Sequence, residues 1–246
     1  MAGPGTCLND IDVVVLAGGL GTRVSDVLGD TPKLLAPIGG RPFLDILMDR
    51  LGAFGLRRLL LGLGHLGGRV VDHMTAHPAE EVEVVTVLEQ SPQGTAGALR
   101  LIAPQIASDP VLVMNGDSFT GADLCDFAAA HRRSGAAASI LAAEVADTSR
   151  FGRLVVGADG RVAGFAEKGP AGGGLGLINA GVYLFSAGML EKIRAMPGPS
   201  LEKDVFQNLG PGTLNAVVSR APFIDIGTPA DLKRAETVLA PYISRP

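Results

Sequence analysis

The chain has 246 residues, 47% of them apolar and 19% charged, with a formal net charge of −4, two tyrosines and no tryptophan. That length fits one large domain around a single core, and the acidic balance and scarce aromatics speak against a broad nucleic-acid surface or a base-stacking platform. No basic region followed by an apolar stretch opens the chain and no run reaches the ~20 apolar residues of a membrane helix, so neither a signal peptide nor a spanning segment is expected. Cys7 and Cys125 stand far apart in no metal-ligand spacing, which reads as reduced thiols in a cytoplasmic protein.

Apolar β-branched runs alternate with amphipathic stretches. Residues 11–17 (IDVVVLA) read as a buried strand, 42–54 as a helix and 56–63 as the next strand. A helix is expected over 65–76, a strand over 82–89 and a helix over 95–106. A short strand over 111–114 runs straight into Asn115-Gly116-Asp117. Strands alternating with helices imply βαβ units, hence an α/β fold with a Rossmann-like, mixed but mostly parallel sheet flanked by helices. Such sheets bind ligands at the carboxyl ends of their strands, which puts the loops starting at Gly18, Glu89 and Asn115 along one rim. From about residue 139 the pattern shifts to short strands, 139–145, 153–156, 162–167 and 180–185, expected to extend the sheet and cover the rim. Residues 171–176 (AGGGLG) read as a surface loop. No linker or internal repeat divides the 246 residues, so a single domain is expected, with halves at about 11–138 and 139–236.

The strongest local signal is Leu16-Ala17-Gly18-Gly19-Leu20-Gly21-Thr22-Arg23, with Pro32-Lys33 after a short spacer. Glycines directly after a buried strand let the backbone turn sharply and aim N–H groups into a concavity, a common way to hold phosphate oxygens. Arg23 and Lys33 bring two cations to the same region. No Gly-Lys-Ser/Thr ends the loop, so it is not a P-loop, and the third glycine of the dinucleotide fingerprint is missing.

This stretch resembles the signature of the sugar-1-phosphate nucleotidylyltransferases, G-G-x-G-T-R, a spacer, then P-K. Residues 89–97 (EQSPQGTAG), 115–117 (NGD), 165–168 (FAEK), 179–183 (NAGVY), 200–204 (SLEKD) and 223–229 (FIDIGTP) are similar to further blocks of the same family, in the family's order. The resemblance implies a glycosyltransferase-A-like nucleotidyltransferase fold, with a nucleotide-binding first half and a sugar-binding second half. It implies transfer of a nucleoside monophosphate from a triphosphate to a sugar 1-phosphate, with pyrophosphate as the second product. Nucleotide contacts would come from Leu16, Ala17, Gly18, Gly19, Gly21, Thr22, Gly94, Thr95, Asn115 and Gly116. Arg23 would serve the triphosphate and the developing pyrophosphate charge, and Lys33 the α-phosphate. Lys168 would hold the phosphate of the sugar, and Glu167, Asn179, Gly181 and Glu202 would face its hydroxyls. Asp117 and Asp225 would hold Mg²⁺ against the triphosphate, as hard cations take carboxylate and phosphate oxygens. Taken alone, Asn-Gly-Asp-Ser is also good turn chemistry, and Asp225 also reads as a loop residue before Gly227.

Glu89 bears on the base. Thymidylyl and uridylyl relatives commonly place an amide in this block, to pair with a pyrimidine imide. A carboxylate only accepts hydrogen bonds, and guanine presents two adjacent donors where uracil and thymine present one between two acceptors. Glu89 therefore favours GTP, unless it points to the ribose or to solvent. The SPQGTAGAL, INAGVYLF and SLEKDVF stretches are most similar to D-glycero-D-manno-heptose 1-phosphate guanylyltransferases. Enzymes acting on mannose 1-phosphate or a cyclitol phosphate are similar at this level too, and a uridylyl or thymidylyl member is the further alternative. The chain ends soon after the Asp225 block, so the C-terminal β-helix of longer relatives is not expected. A choline acceptor would want an aromatic cage that two tyrosines hardly build. A regulatory subunit that binds without turnover would be expected to have lost Arg23, Lys33, Asp117 or Asp225, and all four are present. A homo-oligomer is compatible with the sequence. The four histidines show no nucleophile or metal spacing and read as surface or structural.

Overall fold

The computed structural model describes residues 5–166 and 173–243. In chain order the elements begin with β1 (Val13–Ala17), α1 (Ser25–Leu28), β2 (Pro37–Ile38), β3 (Arg41–Pro42), α2 (Phe43–Gly52), β4 (Arg58–Leu63), α3 (Gly67–Ala76) and β5 (Glu83–Leu88). There follow α4 (Gly94–Ile102), β6 (Val111–Asn115), β7 (Ser118–Thr120), α5 (Leu124–Ser134), β8 (Ala138–Val145), β9 (Arg153–Val156) and β10 (Val162–Ala166). The rest is β11 (Gly176–Phe185), α6 (Ala187–Ala195), β12 (Leu214–Ser219), β13 (Phe223–Asp225) and α7 (Pro229–Ile243).

Seven strands form one sheet in the order β12-β8-β11-β6-β1-β4-β5. β5, β4, β1 and β6 run parallel, and β11 alone is antiparallel to its neighbours. From β1 the chain steps outward through β4 to β5, then returns to the other side of β1 as β6. That reversal is the switch point where sheets of this type open a crevice. Both faces of the sheet are buried, which explains the continuous apolar run of β1. Val13 and Val15 pack in one layer with Phe43, Leu47 and Phe127, while Val14 and Leu16 pack in the other with Leu99, Ile102 and Phe206.

The expected extension of the sheet forms through β8 and β11, joined by β12, and three particulars need correction. β9 and β10, expected as part of that extension, pair with each other as a separate ribbon. β11 starts at Gly176 rather than Ala180, because a register shift between Asn179 and Tyr183, with Gly181 at φ +69°, lets one strand pass through a kink; Ala171 and Gly172 lie outside the described residues. Cys7 and Cys125 are not free thiols but a disulfide. The loop before β1 meets the start of α5, a contact that a separation of 118 residues conceals in the sequence.

Candidate active site

The crevice beside β1 is built by close backbone contacts. After Ala17 the chain turns through Gly18–Arg23, and the Gly116 N–H donates to the Leu16 carbonyl at 2.8 Å. A Cβ on Gly64 would stand 2.4 Å from the Gly18 carbonyl oxygen, and one on Gly116 would stand 2.9 Å from the Ala17 Cβ. Side chains there would force the loops apart, so glycine is the residue both positions require. The loops enclose a cavity of about 350 Å³, with Gly18, Gly21, Lys33, Glu89, Asn115 and Asp117 in its wall and Val24, Leu28, Leu63 and Val70 on its apolar side.

A second cavity of about 380 Å³ is lined by Phe151, Phe165, Asn179, Tyr183, Glu202 and Lys203, among others. Thr95 and Asn115 line both cavities. The walls are tied together where α4 begins. Gly94 adopts φ +67° with no room for a Cβ against the Pro199 carbonyl, the Ala96 N–H donates to that carbonyl at 2.8 Å, and the Leu201 N–H donates to Thr95 Oγ1 at 2.9 Å.

Charge is concentrated at the rim of the first cavity. Lys33 Nζ donates to Asp117 Oδ2 at 3.0 Å, with the lysine side chain 19% exposed. β13 pairs with β7 so that Asp225 lies opposite Ser118, and the Ile226 N–H donates to the Asp117 carbonyl at 2.9 Å. Two carboxylates are thereby brought side by side. Burial, and then the charge of Asp117, push the Asp225 carboxyl above its ordinary value, against the Gly227 N–H at 2.6 Å and the charge of Lys33. Arg23 is exposed, with Nη2 3.9 Å from where a Cβ on Gly227 would stand.

Two acceptor atoms in the wall are buried without a hydrogen-bond partner among the described residues, Glu89 Oε1 and Asn115 Oδ1. The other Glu89 oxygen accepts from the Gln93 N–H at 2.9 Å, which fixes the carboxylate, and Gly18 lies flat against it. Buried acceptors of this kind carry a desolvation cost that a ligand donor can relieve. In the second cavity Asn179 Nδ2 donates to Tyr183 Oη at 2.9 Å and to Glu202 Oε2 at 3.1 Å, and its Oδ1 accepts from the Gly181 N–H at 2.9 Å. Burial pushes the Tyr183 phenol well above its ordinary value, so it stays neutral.

Residues 12–240 match the family model described as nucleotidyl transferase. The chain belongs to the nucleotidyl transferase family. It is 31% identical over 234 residues to the mannose-1-phosphate guanylyltransferase of Mycobacterium tuberculosis, covering 94% of this chain and 65% of that protein. It is 29% identical over 238 residues to the D-glycero-alpha-D-manno-heptose 1-phosphate guanylyltransferase of Aneurinibacillus thermoaerophilus, covering 95% of this chain and 100% of that protein. The structure of HddC from Yersinia pseudotuberculosis complexed with GMP-PN superposes with a TM-score of 0.81 at 34% identity, over 92% of this chain and 98% of that one. The chain thus spans about two thirds of the first of these relatives and nearly all of the other two.

Leu16, Ala17, Gly18, Gly19, Gly21, Glu89, Gly94, Thr95, Asn115 and Gly116 all line the first cavity, beside Lys33 and Asp117. Thr22 and Arg23 stand outside it, and the Thr22 carbonyl accepts from Ser25 Oγ at 2.8 Å. Asn179 and Glu202 line the second cavity, while Gly181 contributes mainly by giving Asn115 room. Glu167 and Lys168 lie outside the described residues. Sequence reasoning missed His65, which lines the first cavity, Gly64, which packs on the Gly18 backbone beside it, and Tyr183, Phe151 and Lys203 in the second cavity. No local signal marks Gly64, because what demands a glycine there is the Gly18 carbonyl on the loop of the neighbouring strand. Among the described residues no helix is long and apolar enough to cross a membrane.

Proposed function

We propose that the protein transfers a guanylyl group from GTP to a sugar 1-phosphate, releasing pyrophosphate. The observation that carries the choice of base is Glu89, whose one oxygen is pinned by the Gln93 N–H while the other is buried, unpartnered and in the cavity wall. A fixed acceptor pair suits the adjacent N1–H and N2 donors of guanine and penalises the acceptors of a pyrimidine imide.

The sugar phosphate is an anion at neutral pH, so its oxygen attacks the α-phosphorus without a general base, and the bond to the leaving pyrophosphate breaks in line. Rate then depends on positioning and on stabilising charge as it builds up. Backbone N–H groups of Gly18–Gly21 and Lys33 face the triphosphate, and Arg23 sits at the exit where pyrophosphate charge develops. Asn179 and Glu202 orient the sugar. Asp117 and Asp225 would hold Mg²⁺, a hard cation that takes carboxylate oxygens; burial, and then the charge of Asp117, push the Asp225 carboxyl up, a penalty that a cation would relieve. Such an ion supplies charge neutralisation between the two polyanions. We take heptose 1-phosphate as the acceptor on the resemblance of the SPQGTAGAL, INAGVYLF and SLEKDVF stretches to heptose 1-phosphate guanylyltransferases, beside the 29% identity to one of them.

The test is pyrophosphate release with Mg²⁺ from each common nucleoside triphosphate, paired with heptose 1-phosphate, mannose 1-phosphate or a cyclitol phosphate. Release with GTP and the heptose is expected. Release with UTP or dTTP alone would overturn the reading of Glu89, and release with mannose 1-phosphate alone would overturn the acceptor.

A further inference from the structure

The turn joining β8 to β9 borders the second cavity. Its last residues, Phe151 and Gly152, form part of the wall of the second cavity. The turn is closed on itself, since the N–H groups of Phe151 and Gly152 both donate to the carbonyl of the buried Thr148, at 3.1 and 3.2 Å. From it the Arg150 guanidinium reaches across to Asp231 and engages both carboxylate oxygens, Nη1 to Oδ1 at 3.0 Å and Nη2 to Oδ2.

Asp231 stands in the first turn of α7, directly after the segment that carries Asp225. Its side chain is 3% exposed, and Thr228 Oγ1 and Arg234 Nη1 also donate to it, at 2.5 and 3.3 Å. The Arg150 hydrogen bonds hold its carboxyl below the ordinary value, so the pair is ionic through the neutral range. A second link runs alongside: the Phe151 ring meets Phe223, the first residue of β13, edge-on at 5.9 Å. A bidentate arginine–carboxylate pair is directional as well as attractive, so it fixes the separation of the elements it joins. Asp225 has its own restraints in the Gly227 N–H and the Ile226–Asp117 bond, whereas the turn is reached from this side by Arg150 and Phe151.

We infer that Arg150 is a positioning residue which, through Asp231, sets the distance between the acceptor wall at Phe151–Gly152 and Asp225. This rests on the second cavity being the sugar-phosphate site. Loss of the pair lets the wall drift while Glu89, Lys33 and the Gly18 loop, on other elements, stay in place. The consequence falls on the acceptor and not on the nucleotide.

The experiment is steady-state pyrophosphate release by the wild type, R150K, R150M and D231N, varying GTP and the acceptor the wild type prefers in turn, with thermal melting of each. R150M is expected to raise the acceptor KM about tenfold or more, given how steeply rate depends on alignment, with the GTP KM within about twofold. R150K, which keeps an ionic contact but loses the fork, should fall between R150M and the wild type, and folded D231N should reproduce the R150M split. Unchanged kinetics in R150M, equal rises in both KM values, or an R150K no better than R150M would overturn the inference while leaving the proposed function standing. A wild type that releases no pyrophosphate with any pair would overturn the acceptor reading and this inference with it.

Discussion

Lys33 Nζ lies 3.0 Å from Asp117 Oδ2, so the lysine offsets one of two adjacent carboxylates and leaves Asp225 as the partly buried, repelled member of the pair. Such a group lowers the stability of the resting protein and gains when a cation arrives, a trade between stability and activity. Asp225→Asn removes both the burial penalty and the repulsion while keeping an acceptor for the Gly227 N–H. The variant should melt about 2–4 °C higher without ligand, the shift expected for roughly 1 kcal/mol in a chain of this size. It should also lose turnover and the rise in melting temperature expected of the wild type with Mg²⁺ and GTP. Scanning calorimetry with and without Mg²⁺–GTP decides; a variant that melts lower alone, or keeps the ligand-induced rise, contradicts the account.

A second expectation concerns Gly18 and Glu89. A Cβ on Gly18 would stand 2.1 Å from Glu89 Oε1, so Gly18→Ala must displace the carboxylate on which the proposed choice of guanine rests. Gly18→Ala and Glu89→Gln should therefore fail in the same way, each lowering the ratio of kcat/KM for GTP over UTP by about 10- to 100-fold, as expected when a buried polar group loses its match. Competition assays with both triphosphates read this ratio directly. A Gly18→Ala enzyme that retains wild-type selectivity would mean the base is read elsewhere.

Much of the first half was legible in the sequence because its strands are buried on both faces. Val13, Val14 and Val15 sit among residues that must all be apolar, and the loops after β1, β5 and β6 carry glycines and charges that a buried strand does not. Sequence reading fared worse where the cause lies between distant segments. β7 and β13 are three residues each and hold together as a pair, so no local pattern shows that Asp117 meets Asp225 from 108 positions away, and the family resemblance alone put the two together. β12 is an edge strand with exposed positions, so its alternation is weak. Gly64 looked like ordinary turn chemistry because its demand comes from the Gly18 carbonyl, a neighbour no local pattern reveals.

The Cys7–Cys125 disulfide gives a third expectation. It closes a loop of 118 residues, and cross-links of that span stabilise by about 2–4 kcal/mol, largely by restricting the unfolded chain. Reduction, or Cys7→Ser, should lower the melting temperature by several degrees without changing GTP selectivity, since the bond joins the approach to β1 with the start of α5 and touches neither cavity. Thiol titration of the unfolded, unreduced protein should find no free cysteine. Two titratable thiols, or identical melts with and without reductant, would speak for the reduced form.

His131 gives the last expectation, a dependence of stability on pH. Its side chain is buried on α5, with Nδ1 2.8 Å from Ser139 Oγ, itself buried and within 3.4 Å of Asn215 Nδ2. Burial, and then the charge of Arg132, lower its pKa from the ordinary 6.5, while Asp109 acts weakly the other way. The folded protein thus keeps His131 neutral at pH values where the unfolded chain protonates it. Between 6.5 and the lowered folded-state value the unfolded chain binds the extra proton, so stability falls as pH falls through that window and levels once the folded value is passed. Above 6.5 the group contributes no slope. Urea unfolding at pH 8, 7, 6 and 5 should show the wild type losing stability faster than His131→Gln on the acid side. The variant starts lower at pH 8, having lost packing and part of the Ser139 contact, and the two curves converge as pH drops. Parallel curves would mean that His131 takes up its proton in the fold as readily as in the unfolded chain.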